Sequence, residues 1–270
     1  GLGLAGDPRE WSDDETLLAL ASAGEDLPGD LVVGDESARR YYAWRAEDVE
    51  VVERDARPQR YVALAADAIR GVVPGPTVSG EQPKFGAVVA ADAGAQHVLV
   101  KFSPSEYSPA ARRWCDLLVG EHLALETLRS HGVPAVTSTI VEGGSRVFLE
   151  TSRFDRVGLF GRRAVAPIEP RPEIHAFGRF IDDTGVKPGA MAYGMSPMGY
   201  APIGADVPAR AYAPPLPEPG AEDAWRTAGG WGVDFWQRVA VDDRVSRAFR
   251  TIARENTLAI ARALARLGRH

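Results

Sequence analysis

A loop rich in glycine and proline, V-V-P-G-P-T-V-S-G-E-Q-P-K-F at residues 72–85, contains the first residue types suited to phosphate binding. Backbone amides near Gly75, Ser79 and Gly80 can approach a phosphate closely because few side chains intervene, and Lys84 follows nearby. An ordinary surface turn has the same composition. The loop therefore predicts either a phosphate-binding element or a turn.

A second cation, Lys101, follows the apolar run V-L-V in the predicted strand H-V-L-V-K-F at 97–102. In nucleotide-binding lobes, a lysine at such a position contacts phosphate oxygens and is oriented by a glutamate on a helix. Glu121 and Glu126 lie on the following predicted helix, and Glu121 is the preferred partner. We expect a partly exposed ion pair, worth about 0–1 kcal/mol to stability. A solvated lysine at a strand end is the alternative.

The surrounding pattern predicts the elements that must position these residues. Alternating apolar residues separated by turn signals indicate strands, and longer runs rich in leucine and alanine indicate helices. The predicted strands cover 85–91, 97–102, 133–142 and 145–154, and the predicted helices cover 61–69, 110–131 and 246–267. This order predicts a small antiparallel sheet with one helix packed on it.

The chain divides into three predicted parts. Residues 1–59 form an accessory N-terminal subdomain, in which Ser12 and Glu15 have the spacing of a helix capping box. Residues 60–160 form a nucleotide-binding N-lobe, and residues 161–270 form a shortened helical C-lobe.

The composition excludes several classes of protein. The chain of 270 residues has a net charge of −6 and a pI near 5.5, so direct binding of nucleic acid is not expected. A single cysteine, Cys115, and the lack of a long apolar run predict a cytoplasmic protein with no membrane partner. The five histidines show no metal-ligand spacing, so no metal site is assigned.

Four motifs occur in order between residues 79 and 156: S-G-E-Q-P-K-F, V-L-V-K-F-S-P, G-E-H-L-A-L-E-T-L and L-E-T-S-R-F-D-R. Together they resemble the nucleotide-lobe motifs of the HipA-like serine/threonine kinases, which are toxins of bacterial toxin–antitoxin systems, and most resemble the YjjJ branch. The resemblance implies an α+β, two-lobed, protein-kinase-like fold. Its small lobe has an antiparallel sheet that binds ATP, and its C-lobe is mainly helical.

The resemblance also implies roles for individual residues. Residues 79–84 cover the phosphates, Lys101 contacts them, Glu121 orients Lys101, and residues 150–153 form a hinge that meets adenine through backbone groups. Asp155 and Arg156 brace the junction between the lobes or form a structural ion pair. The implied nucleotide-binding residues are Ser79, Gly80, Lys84, Lys101, Glu121, Glu150 and Arg153.

The catalytic loop departs from the family pattern N-T-D-x-H-x-G-N. Aligning residues 183–190 on that pattern replaces the catalytic base, the histidine and the metal-binding asparagine by Gly185, Lys187 and Ala190, and Gly194 replaces a later metal-binding aspartate. Asp182 and Asp183 are catalytic substitutes only if the register shifts, and Asp183 is then the base. We therefore expect a kinase homologue that binds ATP, with impaired phosphoryl transfer and doubtful Mg²⁺ binding. The alternative is a non-catalytic scaffold that binds a protein such as an antitoxin; a protein substrate is the other possible partner.

Overall fold

The structure, a computed structural model, describes residues 10–46, 49–70, 82–165, 171–181, 214 and 216–267. Within these ranges the chain forms seven α-helices and seven β-strands, which make a mixed α/β fold. The helices are α1 (Asp13–Ala23), α2 (Asp35–Ala46), α3 (Arg57–Ile69), α4 (Pro109–Ser130), α5 (Pro172–Phe180), α6 (Glu222–Val241) and α7 (Arg247–Leu267). The strands are β1 (Val51–Val52), β2 (Lys84–Ala91), β3 (Gly94–Phe102), β4 (Ser138–Gly143), β5 (Arg146–Ser152), β6 (Arg156–Val157) and β7 (Gly161–Arg162).

The helix ends follow local sequence signals. The Ser12 amide donates to the Glu15 carboxylate at 2.8 Å and the Glu15 amide donates to the Ser12 hydroxyl at 3.3 Å, which confirms the predicted capping box of α1. Ser108 caps α4 by accepting a hydrogen bond from the Ala111 amide at 3.0 Å. The predicted helices at 110–131 and 246–267 therefore agree with α4 and α7 to within one residue.

Five strands form the main sheet in the order β1-β2-β3-β5-β4, and β6 and β7 form a separate pair. Strands β2, β3, β5 and β4 are antiparallel as predicted, but β1 pairs with β2 in parallel. Sequence periodicity does not reveal β1 because a strand of two residues is too short to alternate.

Helices cover both faces of this sheet, whereas the sequence predicts one helix packed on it. Helix α3 covers one face through an apolar cluster that includes Tyr61, Phe85, Phe102 and Phe148, all fully or almost fully buried. Helix α4 contacts β4 and β5. Residues 61–69 are helical as predicted, but their packing against the sheet depends on contacts distant in sequence.

The helices α5, α6 and α7 pack together and extend the core beneath α4. A second apolar cluster joins α4 to α5, α6 and α7, and it includes Leu128, Phe177, Phe235 and Ile260. The buried Trp236 indole donates to the Phe180 carbonyl at 2.8 Å. Because α4 belongs to this cluster and also contacts the sheet, its position is determined from both sides.

Candidate functional site

The structure brings Lys101 of β3 and Glu121 of α4 together. The Lys101 ammonium (Nζ) donates to Glu121 Oε1 at 2.5 Å, and the two residues are 3% and 0% exposed. The pair is therefore buried, which corrects the expectation of a partly exposed ion pair. Alternation along β3 points Lys101 away from the α3 face, since its neighbours Val100 and Phe102 lie in the α3 cluster.

A second cation lies beside this pair. Lys84 of β2 is directly opposite Lys101 in the antiparallel register, so the two side chains are on the same face. Burial and the neighbouring Lys101 charge lower the pKa of Lys84 to about 8, while Glu121 opposes this change. Lys84 is thus only partly protonated near pH 8.

Within the described part of the chain, the second carboxylate oxygen of Glu121, Oε2, lacks the hydrogen bond that Oε1 accepts. Burial raises the pKa of Glu121, and the charge and hydrogen bond of Lys101 only partly offset this effect. Glu121 Oε2 is buried and accepts no hydrogen bond from any residue that the structure describes. The site therefore contains two ammonium groups, one carboxylate and an unused acceptor atom.

The same face of β2 and β3 continues away from the lysines as a strip of paired residues. Gly86 lies opposite Leu99, and Val88 lies opposite His97. Lys101 and His97 are four positions apart, which corresponds to about 13 Å along an extended strand. The strip is cationic at one end, has no side chain at Gly86, and is apolar and aromatic at the other end.

A cavity of about 450 Å³, here called the Trp44 cavity, lies at this second end. Its walls include Val88, His97 and Trp44, and the Trp44 and His97 rings meet edge to face with their centroids 5.7 Å apart. Burial lowers the pKa of His97, so its ring is neutral at pH 7. The polar part of the wall includes Glu25, Asp26 and Arg153.

Glu150, a predicted hinge residue, has its side chain on the opposite face of the sheet. Its carboxylate accepts hydrogen bonds from the Tyr61 hydroxyl at 2.5 Å and from Arg57 at 3.2 Å, beneath α3. The backbone amides of Ser152 and Arg153 already have acceptors, since Ser152 N–H donates to Thr137 O and Arg153 N–H donates to His97 O. A backbone contact between the hinge and adenine stays a prediction, and the Glu150 side chain has a structural partner.

Arg153 belongs to a network of charges around the R-F-D-R motif, in which the motif side chains of Arg153, Asp155 and Arg156 are buried and the Asp26 side chain is 46% exposed. Asp155 accepts from Arg153 at 2.8 Å and from Arg156 at 2.6 Å, and Asp26 accepts from the same two arginines at 2.7 and 2.6 Å. Burial disfavours the charged form of Asp155, but Arg153, the Gly29 amide and Arg156 together lower its pKa. The structural ion pair predicted for Asp155 and Arg156 is therefore present.

Backbone groups of the loop between α1 and α2 complete the network, and sequence reasoning missed them. Gly29, which has a φ of +84° that favours glycine, donates its amide to Asp155 at 3.0 Å. Arg162 donates to four carbonyls of this loop, those of Glu25, Leu27, Gly29 and Leu31, at 2.7 to 3.1 Å. The acidic residues of this loop are only a weak sequence signal that the loop contacts the arginines, because they lie more than 100 positions from them.

The remaining predicted site residues lie outside the described residues. They are Ser79 and Gly80 of the glycine loop, Asp183 as substitute base, and the replaced positions Gly185, Lys187, Ala190 and Gly194. Among the residues that the structure describes, no group of three or more His, Cys, Asp or Glu side chains could hold a metal ion. No helix in the described part of the chain is both long and apolar enough to cross a membrane.

Comparisons with known proteins add an independent line of evidence. A family model described as "YjjJ-like toxin, middle domain" matches residues 1–42. Toxin YjjJ of Escherichia coli (strain K12) is 31% identical over an alignment of 301 residues, which covers 94% of this chain and 68% of that protein. No solved structure matches.

Proposed function

Since the chain belongs to the YjjJ-like toxin family, we propose that it is a toxin with a HipA-like kinase lobe that binds ATP. In this proposal the phosphates lie beside Lys84 and Lys101, and Glu121 orients Lys101. Phosphoryl transfer is impaired because glycine and alanine replace the family's base and metal ligands at Gly185, Ala190 and Gly194.

The buried pair of Lys101 and Glu121 is the observation that carries the proposal. Desolvation of two charges can exceed their attraction, so a buried ion pair is weak evidence for a role in stability. Lys84 adds a second positive charge on the same face, and like charges this close favour an anion between or beside them. A polyphosphate is an anion of the kind that neighbouring ammonium groups bind.

The arrangement of elements around the pair supports the same function. In protein kinases, a lysine on the third strand of the small lobe pairs with a glutamate on the following helix, and that lysine binds the nucleotide phosphates. Here Lys101 of β3 pairs with Glu121 of α4, the helix that follows β3. The order β2-β3-α4-β4-β5 brings the two residues together between the sheet and α4, on the face opposite α3.

Calorimetric titration with ATP, with and without Mg²⁺, tests the nucleotide site. We expect binding with little dependence on Mg²⁺, and a large loss of affinity in Lys101→Met. Glu121→Gln should also weaken binding, whereas Glu126→Gln on the same helix is the matched control, since Glu126 is partly exposed and pairs with Arg129 at 2.8 Å. Absence of binding heat in the parent protein under both conditions would overturn the ATP site.

A non-catalytic scaffold that binds an antitoxin is the second candidate function. The replacements at Gly185, Ala190 and Gly194 favour it, because glycine and alanine provide neither a base nor a metal ligand. Induced expression in bacteria, with growth as the readout, separates the two functions. Growth arrest that Lys101→Met abolishes supports a nucleotide-dependent toxin, and arrest that this variant retains supports the scaffold.

A further inference from the structure

We propose that the Trp44 cavity receives the purine base of the nucleotide, and that Glu25 and Asp26 recognise an exocyclic amino group on that base. The loop between α1 and α2 would then determine base specificity, although it lies far from the lysines in sequence. This inference rests on the proposed function for the position of the phosphates.

The position of the cavity suits a base whose phosphates reach the lysines. Lys101 and His97 lie on one face of β3, about 13 Å apart along the strand. Between them, Gly86 has no side chain, so an extended ligand can lie close to the backbone of β2. A nucleotide placed along this strip has its phosphates beside the ammonium groups and its base at the cavity.

The charges around the cavity favour a neutral ligand with both donors and acceptors. Its wall contains three carboxylates and three guanidinium groups, those of Glu25, Asp26, Glu50, Arg153, Arg156 and Arg162. Their formal charges cancel, so a charged occupant gains little attraction while it loses its hydration. A purine base is neutral, planar and polar at its edges, and base–aromatic stacking on Trp44 would add to binding.

Glu25 provides an acceptor that lacks a donor. Its Oε1 lies 4.0 Å from Arg40, whereas its Oε2 is buried and has no hydrogen-bond partner among the described residues. A buried acceptor without a donor is costly, and a ligand N–H group would satisfy it. An amino group on a purine is such a donor.

Asp26 lies close to the strip that the ligand would follow. A Cβ atom added to Gly86 would stand 3.9 Å from Asp26 Oδ2, so the carboxylate is next to the open backbone of β2. Arg153 and Arg156 hold Asp26 in place at 2.7 and 2.6 Å. An ionised carboxylate has about four acceptor positions, which leaves capacity for a ligand donor.

Base analogues that differ by one amino group test this recognition. We would titrate ATP against purine riboside triphosphate, and GTP against inosine triphosphate, into the parent protein, Glu25→Gln and Asp26→Asn. Within at least one pair the amino-bearing nucleotide should bind about tenfold more tightly in the parent protein, because the analogue leaves a buried acceptor unpaired. Glu25→Gln should bring that ratio close to one. The control, Glu36→Gln, changes a partly exposed carboxylate on α2 and should keep the parent ratio.

The inference would be overturned if the parent protein bound both nucleotides of each pair with equal affinity. It would also be overturned if Glu25→Gln and Asp26→Asn both kept the parent protein's ratio of affinities. Lys101→Met and the free nucleosides separate this inference from the proposed function. If triphosphates depend on Lys101 but show no amino preference, base recognition is wrong and the phosphate site stands. If adenosine binds more tightly than purine riboside and Lys101→Met changes no affinity, the phosphate site is wrong and base recognition stands.

Discussion

Two clusters of buried charge in the described part of the chain, the R-F-D-R network and the pair of Lys101 and Glu121, differ in how completely they are satisfied. The R-F-D-R network combines two ion pairs to Asp155, two to Asp26, and hydrogen bonds to the loop between α1 and α2. In the pair of Lys101 and Glu121, Glu121 Oε1 accepts from the ammonium, Glu121 Oε2 accepts no hydrogen bond from any residue that the structure describes, and a second ammonium group is nearby.

The difference indicates different roles. Buried charges that are paired and hydrogen-bonded on every side stabilise one conformation, whereas a partly satisfied buried site is costly unless a ligand completes it. We therefore infer a structural role for the R-F-D-R network and propose a binding role for the Lys101 site. Sequence alone does not separate them, because both contain motif residues of the same charged types.

The largest effect is expected from breaking the network. Asp155→Ala removes a carboxylate that is 5% exposed and leaves Arg153 and Arg156 with one partner fewer each. We expect a loss of about 3–5 kcal/mol in the free energy of unfolding, the usual cost of breaking a buried pair. Urea unfolding followed by circular dichroism measures it.

The matched control is Asp92→Ala, since the Asp92 side chain is 99% exposed and its contact with Arg54 is at the surface. This control should unfold at the parent urea concentration. Equal midpoints for Asp155→Ala and the parent protein would show that the network is not structural.

At the Lys101 site we expect a small effect on stability and a large effect on ATP binding. Replacing both members of the pair, as in Lys101→Met with Glu121→Met, removes two buried charges together, and such replacements are often neutral or stabilising by about 1–4 kcal/mol. ATP binding should nevertheless be lost. Urea unfolding and calorimetry on the same sample measure the two effects. A double variant that is strongly destabilised would place this pair with the structural network.

A change in pH should have a smaller effect on ATP affinity. Because the folded-state pKa of Lys84 is lowered to about 8, its positive charge is lost as pH rises through 8, and ATP affinity should fall severalfold between pH 7 and pH 9. Lys84→Met should remove most of this dependence. An equally steep fall in Lys84→Met would assign the titration to another group.

The lowered pKa of Lys84 also determines whether its contribution to stability rises or falls with pH. Between pH 8 and the ordinary lysine range near 10.5, the unfolded chain binds more protons at Lys84 than the folded chain does. The contribution of Lys84 to the free energy of unfolding therefore rises with pH in this window and is constant below it. Comparing the parent protein with Lys84→Met at pH 7 and pH 10 isolates this contribution.

Local features of the fold were predictable from sequence, and long-range ones were not. The capping box at Ser12 and the extent of α4 follow from residues close in sequence. The choice of Glu121 over Glu126 as partner of Lys101, 20 positions away, follows from the position of Glu121 on the predicted helix. The side on which Glu150 points depends on the register between β3 and β5, which no local pattern specifies.

The contribution of the N-terminal part to the site was also not predictable. Asp26 and Arg153 are separated by 127 positions, so no spacing rule connects them. The sequence predicts an accessory structural role for residues 1–59, yet Glu25, Asp26 and Trp44 line the cavity at the end of the strip. The roles predicted at 79–80 and 183–194 lie outside the described residues and stay predictions.

Covalent labelling with an acyl-phosphate derivative of ATP tests the central claim most directly, because this reagent acylates lysines beside the bound phosphates. The chain has three lysines, Lys84, Lys101 and Lys187, so peptide mass spectrometry can assign each modification. We predict labelling at Lys84 and Lys101 that excess ATP suppresses, with Lys84 the more reactive because its lowered pKa leaves more neutral amine. Labelling at Lys187 alone, or labelling that ATP does not suppress, would contradict the assignment of this face to nucleotide binding.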